Sequence, residues 1–276
     1  MTPLLFSTPE RAERFTQDLG AVLVGRTLEY HAQVGSTNDL VRARAAAGAP
    51  EGLVVLAEEQ LAGRGRQGRN WSAPPGSSLL LSLLLRPVWL PPEAGFALTM
   101  LAGVALCEAV EQVAQPLRAA LKWPNDLMLP GPDSALRKSA GVLSEVSIEQ
   151  ERIAWVAVGI GINVAWSPAG LVDGRDLALA ATSIEIAANR AVDRAALLRA
   201  LLLRIDARYA ALRRGQREEL FDAWRSRLAT IGQAVQIRLP HSVLAGHAEG
   251  VDPSGALLVR DVAGALHSVT AGDVEA

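Results

Sequence analysis

Gly63-Arg64-Gly65-Arg66-Gln67-Gly68-Arg69-Asn70-Trp71 and, further along, Lys122-Trp123-Pro124-Asn125-Asp126-Leu127 are the stretches on which the reading of this chain turns. In the first, three arginines and three glycines interleave over seven positions. Glycine lets a backbone bend and come close to a ligand. Arginine supplies a planar fork of donors that matches phosphate or carboxylate. The formal net charge is −2, so this is a local anion clamp and not part of a general basic field. No Gly-Lys-Ser/Thr follows and no clear helix opens, which excludes a P-loop. The plainer alternative is an exposed basic loop or an RGG-like nucleic-acid contact.

The second stretch ends the apolar run Leu117–Leu121 in a proline-fixed turn. It presents a lysine, an amide and a carboxylate together, the donors that could hold a metal–phosphate group. An Asx-turn capping its own backbone would leave the same trace. Two weaker pieces accompany it. Lys138-Ser139-Ala140-Gly141-Val142-Leu143 puts a lysine at the entry of a strand, and Gly159-Ile160-Gly161-Ile162-Asn163-Val164 ends a buried strand in two glycines and an asparagine.

Around these segments, short apolar runs alternate with helical stretches. Leu28–Val34, Leu53–Gln60, Leu79–Leu85 and Trp155–Val164 are expected as strands. Asn38–Ala47 is expected as a helix stopped by a left-handed Gly48. Glu93–Val113 is a long helix, and Asp193–Leu212 a second, capped by Asp193. In that second helix Leu197, Leu198, Leu201, Leu202, Ile205, Tyr209 and Leu212 form the buried stripe. Several strands follow one another with no helix between, so the sheet should be mixed or largely antiparallel. After Gly232 the runs Ala234–Leu239, Val243–Val251, Ala256–Val262 and Leu266–Thr270 predict a small all-β module. The fold class is therefore α+β: a mixed or antiparallel sheet packed with helices over 1–231, and an SH3-like β-barrel over 232–276.

Hydrophobic residues make up 50% of the chain and charged residues 20%, a balance that excludes disorder. The single cysteine, Cys107, excludes an intrachain disulfide, and the four scattered histidines show no metal-ligand spacing. Met1–Glu10 has no basic n-region. The longest apolar stretch, Ala94–Cys107, is short of the ~20 residues that span a bilayer. A soluble, cytoplasmic protein without a membrane partner is expected.

Taken in order, Ser36-Thr37-Asn38, Gln60, the arginine–glycine loop, Lys-Trp-Pro-Asn-Asp, Lys-Ser-Ala-Gly-Val-Leu and Gly-Ile-Gly-Ile-Asn resemble the catalytic domain of biotin–protein ligases. The motif match covers about residues 30 to 165, and a looser match continues to Gly250–Leu257. The resemblance implies a class II synthetase-like catalytic domain that uses ATP to form biotinyl-5′-AMP. It then passes biotin to a lysine of a biotin carboxyl carrier protein, as in acetyl-CoA carboxylase or a related carboxylase.

By the same resemblance Ser36, Thr37, Asn38, Gln60, Arg64, Gly65, Arg66, Lys138 and Gly141 hold biotin. Arg64, Arg66, Arg69, Trp71, Lys122, Asn125, Asp126 and Asn163 face ATP or the adenylate. Arg66, Lys138 and Asp126 are the catalytic set, and Asp126 also takes Mg²⁺. A homodimer is a common assembly in the family. Repressor members carry an N-terminal helix-turn-helix, and only about thirty residues precede the first matched strand here, so no DNA partner is expected. Two departures stand out. The segment Leu127–Arg137 is longer than usual, and Asp273 stands where the pattern has glutamate.

Two rival readings remain. A lipoate–protein ligase would share fold and adenylate chemistry. A nucleic-acid-binding module could use the arginine loop, although two Tyr and four Phe beside six Trp give it few stacking platforms.

Overall fold

The computed structural model describes residues 4–6, 9–172, 175–239 and 242–275, so His241 lies outside the described residues. Helix α1 (Pro9–Leu19) precedes strand β1 (Thr27–His31), helix α2 (Thr37–Ala46) and strands β2 (Leu53–Ala57) and β3 (Ser78–Leu85). Helix α3 (Ala97–Val113) leads to β4 (Ala120–Lys122), β5 (Asp126–Pro130), β6 (Leu136–Glu149) and β7 (Arg152–Asn163). A small hairpin, β8 (Leu171–Val172) and β9 (Arg175–Asp176), introduces helices α4 (Leu177–Ala180), α5 (Ile184–Ala188), α6 (Arg194–Arg213) and α7 (Arg217–Arg225). The chain closes with β10 (Ala234–Arg238), β11 (Val243–Val251), β12 (Leu257–Asp261), β13 (Leu266–Val269) and β14 (Asp273–Glu275).

The main sheet has the order β1-β2-β3-β7-β6-β5-β4. Only β1 and β2 run parallel, with α2 as their crossover; every other pair is antiparallel. The expected α+β class and mixed sheet are therefore observed. Every residue of β2 and β3 is buried, because both faces of the sheet are covered. Alternation sorts the side chains. Leu79, Leu81, Leu83 and Leu85 of β3 join Val156, Val158, Ile160 and Ile162 of β7 in the large core with α3 and α6. On the other face Leu84 and Ala157 pack with Val41 and Ala45 of α2.

Strands β1 and β2 end earlier than the apolar runs suggest. Beyond them, Val34 and Gln60 still meet in an isolated parallel bridge, where the two chains turn out toward the site. Gly48 takes the expected left-handed conformation (φ +80°), and Asp193 caps α6 by accepting from Ala195 N at 2.8 Å. The whole predicted stripe of α6 is buried. Helices α1 and α7 were not anticipated; α7 spans nine residues and buries only Leu220 and Trp224. The segment Pro92–Val113 proves longer than its apolar heart. Its 22 residues are long and apolar enough to cross a bilayer, yet 78% of the apolar window is buried within the fold.

The five C-terminal strands form an antiparallel sheet in the order β13-β12-β11-β10-β14. It is fastened to the main body through the Lys-Trp-Pro-Asn-Asp turn. Trp123 is buried, its backbone N–H donates to Thr230 Oγ1 at 2.9 Å, and its indole N–H donates to Gly255 O at 2.9 Å. Gly255 has φ +92°, and a Cβ there would lie 2.3 Å from the Phe96 ring. Only glycine tolerates both demands. Valines of this sheet, such as Val235 and Val259, belong to the same hydrophobic cluster as α3 and α6.

One buried charge pair ties the sheet to the helices. Glu58 is 2% exposed; it accepts from Leu5 N at 2.6 Å, Tyr30 OH at 2.7 Å and Arg194 Nη1 at 2.8 Å. Removing the carboxylate breaks a buried charge pair and takes the acceptor from Leu5 N and Tyr30 OH. Glu58→Ala is expected to cost about 3–5 kcal/mol, lowering Tm by roughly 10 °C. A thermal melt that moves by less than two or three degrees would show the pair to be dispensable.

Candidate active site

One cavity of about 690 Å³ opens on the α2 side of the main sheet, and every site residue singled out from the sequence lines it. Its floor is set by alternation along β6 and β7. Ile160 and Ile162 point into the core, so Gly159 and Gly161 face the cavity. Neither has room for a side chain: a Cβ at Gly159 would fall 2.4 Å from Asn38 Oδ1, and one at Gly161 would fall 2.5 Å from the Trp71 indole.

At one end, α2 presents its N-terminus. Ser36, Thr37 and Asn38 are buried there, and Ser36 makes no side-chain cap. Gln60 Oε1 accepts from Thr37 N at 2.8 Å and from Thr37 Oγ1 at 3.0 Å. Ser82 Oγ lies 2.6 Å from Asn38 Oδ1 and 2.7 Å from Thr37 Oγ1. Asn38 Nδ2 donates to Glu145 Oε2 at 3.0 Å. Hydroxyl, amide and carbonyl groups are thus fixed in orientation before any ligand arrives.

At the other end the charged groups gather. Lys138 Nζ lies 2.7 Å from Asp126 Oδ1 and 5.5 Å from the centre of the Trp71 ring. That Asp126 oxygen is fully buried and the contact lacks hydrogen-bond alignment. A β-bulge explains how Lys138 reaches this face. Ala140 and Val142 point into the core, so simple alternation would bury Lys138 beside them. Met128 instead pairs with Lys138 while Leu127 pairs with Ala140. Ser139 is the extra residue, and it turns Lys138 to the cavity. The long segment Leu127–Arg137 is absorbed at the far end of the β5–β6 hairpin, where Gly131 N donates to Ala135 O at 2.8 Å.

Arg66 is partly buried, and burial holds its guanidinium below its ordinary pKa. Its Nη1 donates to Asn125 Oδ1 at 3.1 Å, and Asn125 Nδ2 donates to Val142 O at 2.7 Å. Asn163 is 3% exposed and gives its amide N–H to Thr182 O at 3.1 Å, bracing the wall formed by Leu177, Ala180 and Ala181.

The stretch 30–163 matches the model of the biotin/lipoate A/B protein ligase family, and 230–275 matches the biotin protein ligase C-terminal domain. A biotin–[acetyl-CoA-carboxylase] ligase of Mycobacterium tuberculosis is 36% identical over 272 residues, 96% of this chain and 96% of that protein. The chain belongs to the biotin protein ligase family. The bifunctional ligase/repressor BirA of Bacillus subtilis is 34% identical over 92% of this chain and 75% of its own length. The biotin protein ligase of Aquifex aeolicus, solved with biotin and ATP, superposes with a TM-score of 0.73 at 24% identity, covering 91% of this chain and 98% of that one. At that identity the likeness speaks for the fold.

For a biotin protein ligase, several residues of this site carry no local motif. Ser82 and Glu145, which orient Thr37 and Asn38, come from β3 and β6 and lie far from them in sequence. The paired glycines were legible as a motif, and a period-two reading of Gly-Ile-Gly-Ile would have assigned their open face to the cavity. Among the described residues no group of three His, Cys, Asp or Glu could hold a metal ion. Asp126 is the one carboxylate among the described residues that line the cavity.

Proposed function

We propose that the chain condenses biotin with ATP to biotinyl-5′-AMP and pyrophosphate, then transfers biotin to a lysine of a biotin carboxyl carrier domain. The observation that supports this best is the meeting of two unlike chemistries in one cavity. A set of oriented neutral groups lies at the end of α2, and Arg66, Lys138 and Asp126 lie at the other end. Ser36, Thr37, Asn38 and Gln60 match the polar edge of a ureido ring, which needs both donors and acceptors. The glycine floor and Trp71 give the apolar remainder a flat surface.

In the first step a carboxylate attacks the α-phosphate, so two anions must be brought together. Arg66 and Lys138 neutralise that repulsion from fixed positions, and their effect grows as charge builds on phosphorus. Asp126 would hold Mg²⁺ entering with the nucleotide, whose charge adds to theirs. In the second step the acceptor amine attacks the acyl carbonyl and AMP departs. An ordinary lysine, pKa ~10.4, is protonated at neutral pH. The cationic cluster disfavours that proton, while Asp126 orients the amine.

The expected result is Mg²⁺-requiring ATP–pyrophosphate exchange that depends on biotin and not on lipoate. Exchange at the same rate with no acid added, or with lipoate alone, would remove biotin from the proposal.

A further inference from the structure

The three arginines of the loop 63–71 have different surroundings. Arg64 gives Nη1 and Nη2 to the two carboxylate oxygens of Asp39 on α2, at 2.7 Å each, and lies 3.7 Å from Glu145 on β6. Arg69 gives Nη2 to Asp273 on β14 at 2.7 Å. Arg66, between them, makes no ion pair among the described residues; its terminal nitrogen donates to a neutral amide oxygen at 3.1 Å. A guanidinium engaged by a bidentate carboxylate has its best pair of donors committed. An incoming phosphate would have to displace Asp39 to reach them.

The backbone between the two pairs is short and tightly turned. Gly65 N donates to Arg69 O at 2.6 Å, and Gln67 and Gly68 both take left-handed conformations, φ 56° and 73°. Holding Arg64 and Arg69 therefore fixes where Arg66 can point. The two carboxylates sit on separate elements, one on α2 and one on the C-terminal sheet, which contributes no described residue to the cavity lining.

We infer that Arg64 and Arg69 are latches, that Asp39 and Asp273 are positioning residues holding the two ends of the loop, and that Arg66, and not Arg64, meets the ligand anion. Each pair is partly exposed, so each by itself is weak. Together they act as a two-point attachment, in which closing one raises the chance of closing the other. Asp273 in place of a glutamate shortens the reach of the second latch without removing it.

Two measurements test this, and the first needs neither biotin nor ATP. Asp39→Asn and Asp273→Asn keep all three arginines, so trypsin can still cut the loop after each. In the protein without ligands, each variant should be nicked between residues 64 and 70 about twofold to fivefold faster than the parent. The double variant should be nicked faster than either, and Asp273→Glu should stay near the parent rate. Unchanged nicking in a double variant whose Tm equals the parent's overturns the latches. The second measurement rests on the proposed adenylation and is a double-mutant cycle in pyrophosphate exchange. Arg64→Gln and Asp39→Asn should lower kcat/KM for ATP by the same factor, and combining them should add little. Arg64→Gln costing ten times more than Asp39→Asn makes Arg64 a ligand and overturns its role as a latch. Failure of exchange altogether, with the nicking pattern intact, sinks the biotin proposal and leaves the latches standing.

Discussion

Lys138→Ala is expected to slow formation of the adenylate by about 10²–10³-fold, the usual cost of losing a donor aimed at developing charge. Biotin affinity should fall much less. The groups proposed to hold the ureido ring are at the end of α2, and none of them touches Lys138. The variant also leaves the buried Oδ1 of Asp126 without its neighbouring ammonium at 2.7 Å, so Lys138→Arg is the useful companion. Rapid-quench single turnover with excess ATP gives the rate, and biotin titration gives the affinity. If both drop by the same factor, Lys138 anchors the ground state and does not act on the transition state.

Arg66→Gly should turn the enzyme into a source of free biotinyl-AMP. A charged hydrogen bond to phosphate contributes roughly 1.5–3 kcal/mol. If that loss falls on dissociation, escape of the intermediate accelerates about 10- to 150-fold. The released anhydride acylates any exposed lysine, so selectivity for the carrier falls while ATP is still consumed. Incubating the variant with biotin, ATP, Mg²⁺ and an unrelated lysine-rich protein, then blotting for biotin, reads this out. A bystander that stays unlabelled while adenylate accumulates would mean that Arg66 does not retain the intermediate.

The parts of this molecule that could be read from sequence are those in which chemistry is written locally. The arginine–glycine loop, the lysine–tryptophan–proline turn and the stripe of α6 each declare themselves within a few residues, because composition or helical period is enough. What could not be read depends on contacts across the sheet. Ser82 and Glu145 look like ordinary strand residues until β3 and β6 are placed beside α2. Lys138 is placed in the site by its motif and the family resemblance, and strand alternation alone argues against it. Alternation counted from Ala140 and Val142 would bury it, and only the bulge at Ser139 turns it to the cavity. A bulge is settled by which partner strand a residue meets, and sequence spacing carries no trace of that. Helix α7, with two buried side chains, repeats too few times for a period to emerge.

The junction at Trp123 bears on how the protein comes apart. The indole reaches across to the carbonyl of Gly255, and Gly255 in turn packs against the Phe96 ring at the head of α3. The lysine, asparagine and aspartate of the turn flank that same tryptophan in the chain. A calorimetric scan should therefore show one endotherm and not two, because neither sheet can melt and leave the other with a dry surface. Cutting the chain near residue 231 would expose Trp123, Phe96 and Met100 to water, and the product is expected to aggregate before its activity can be asked about. A change in the C-terminal strands therefore reaches the charged end of the cavity, to which they contribute no described lining residue.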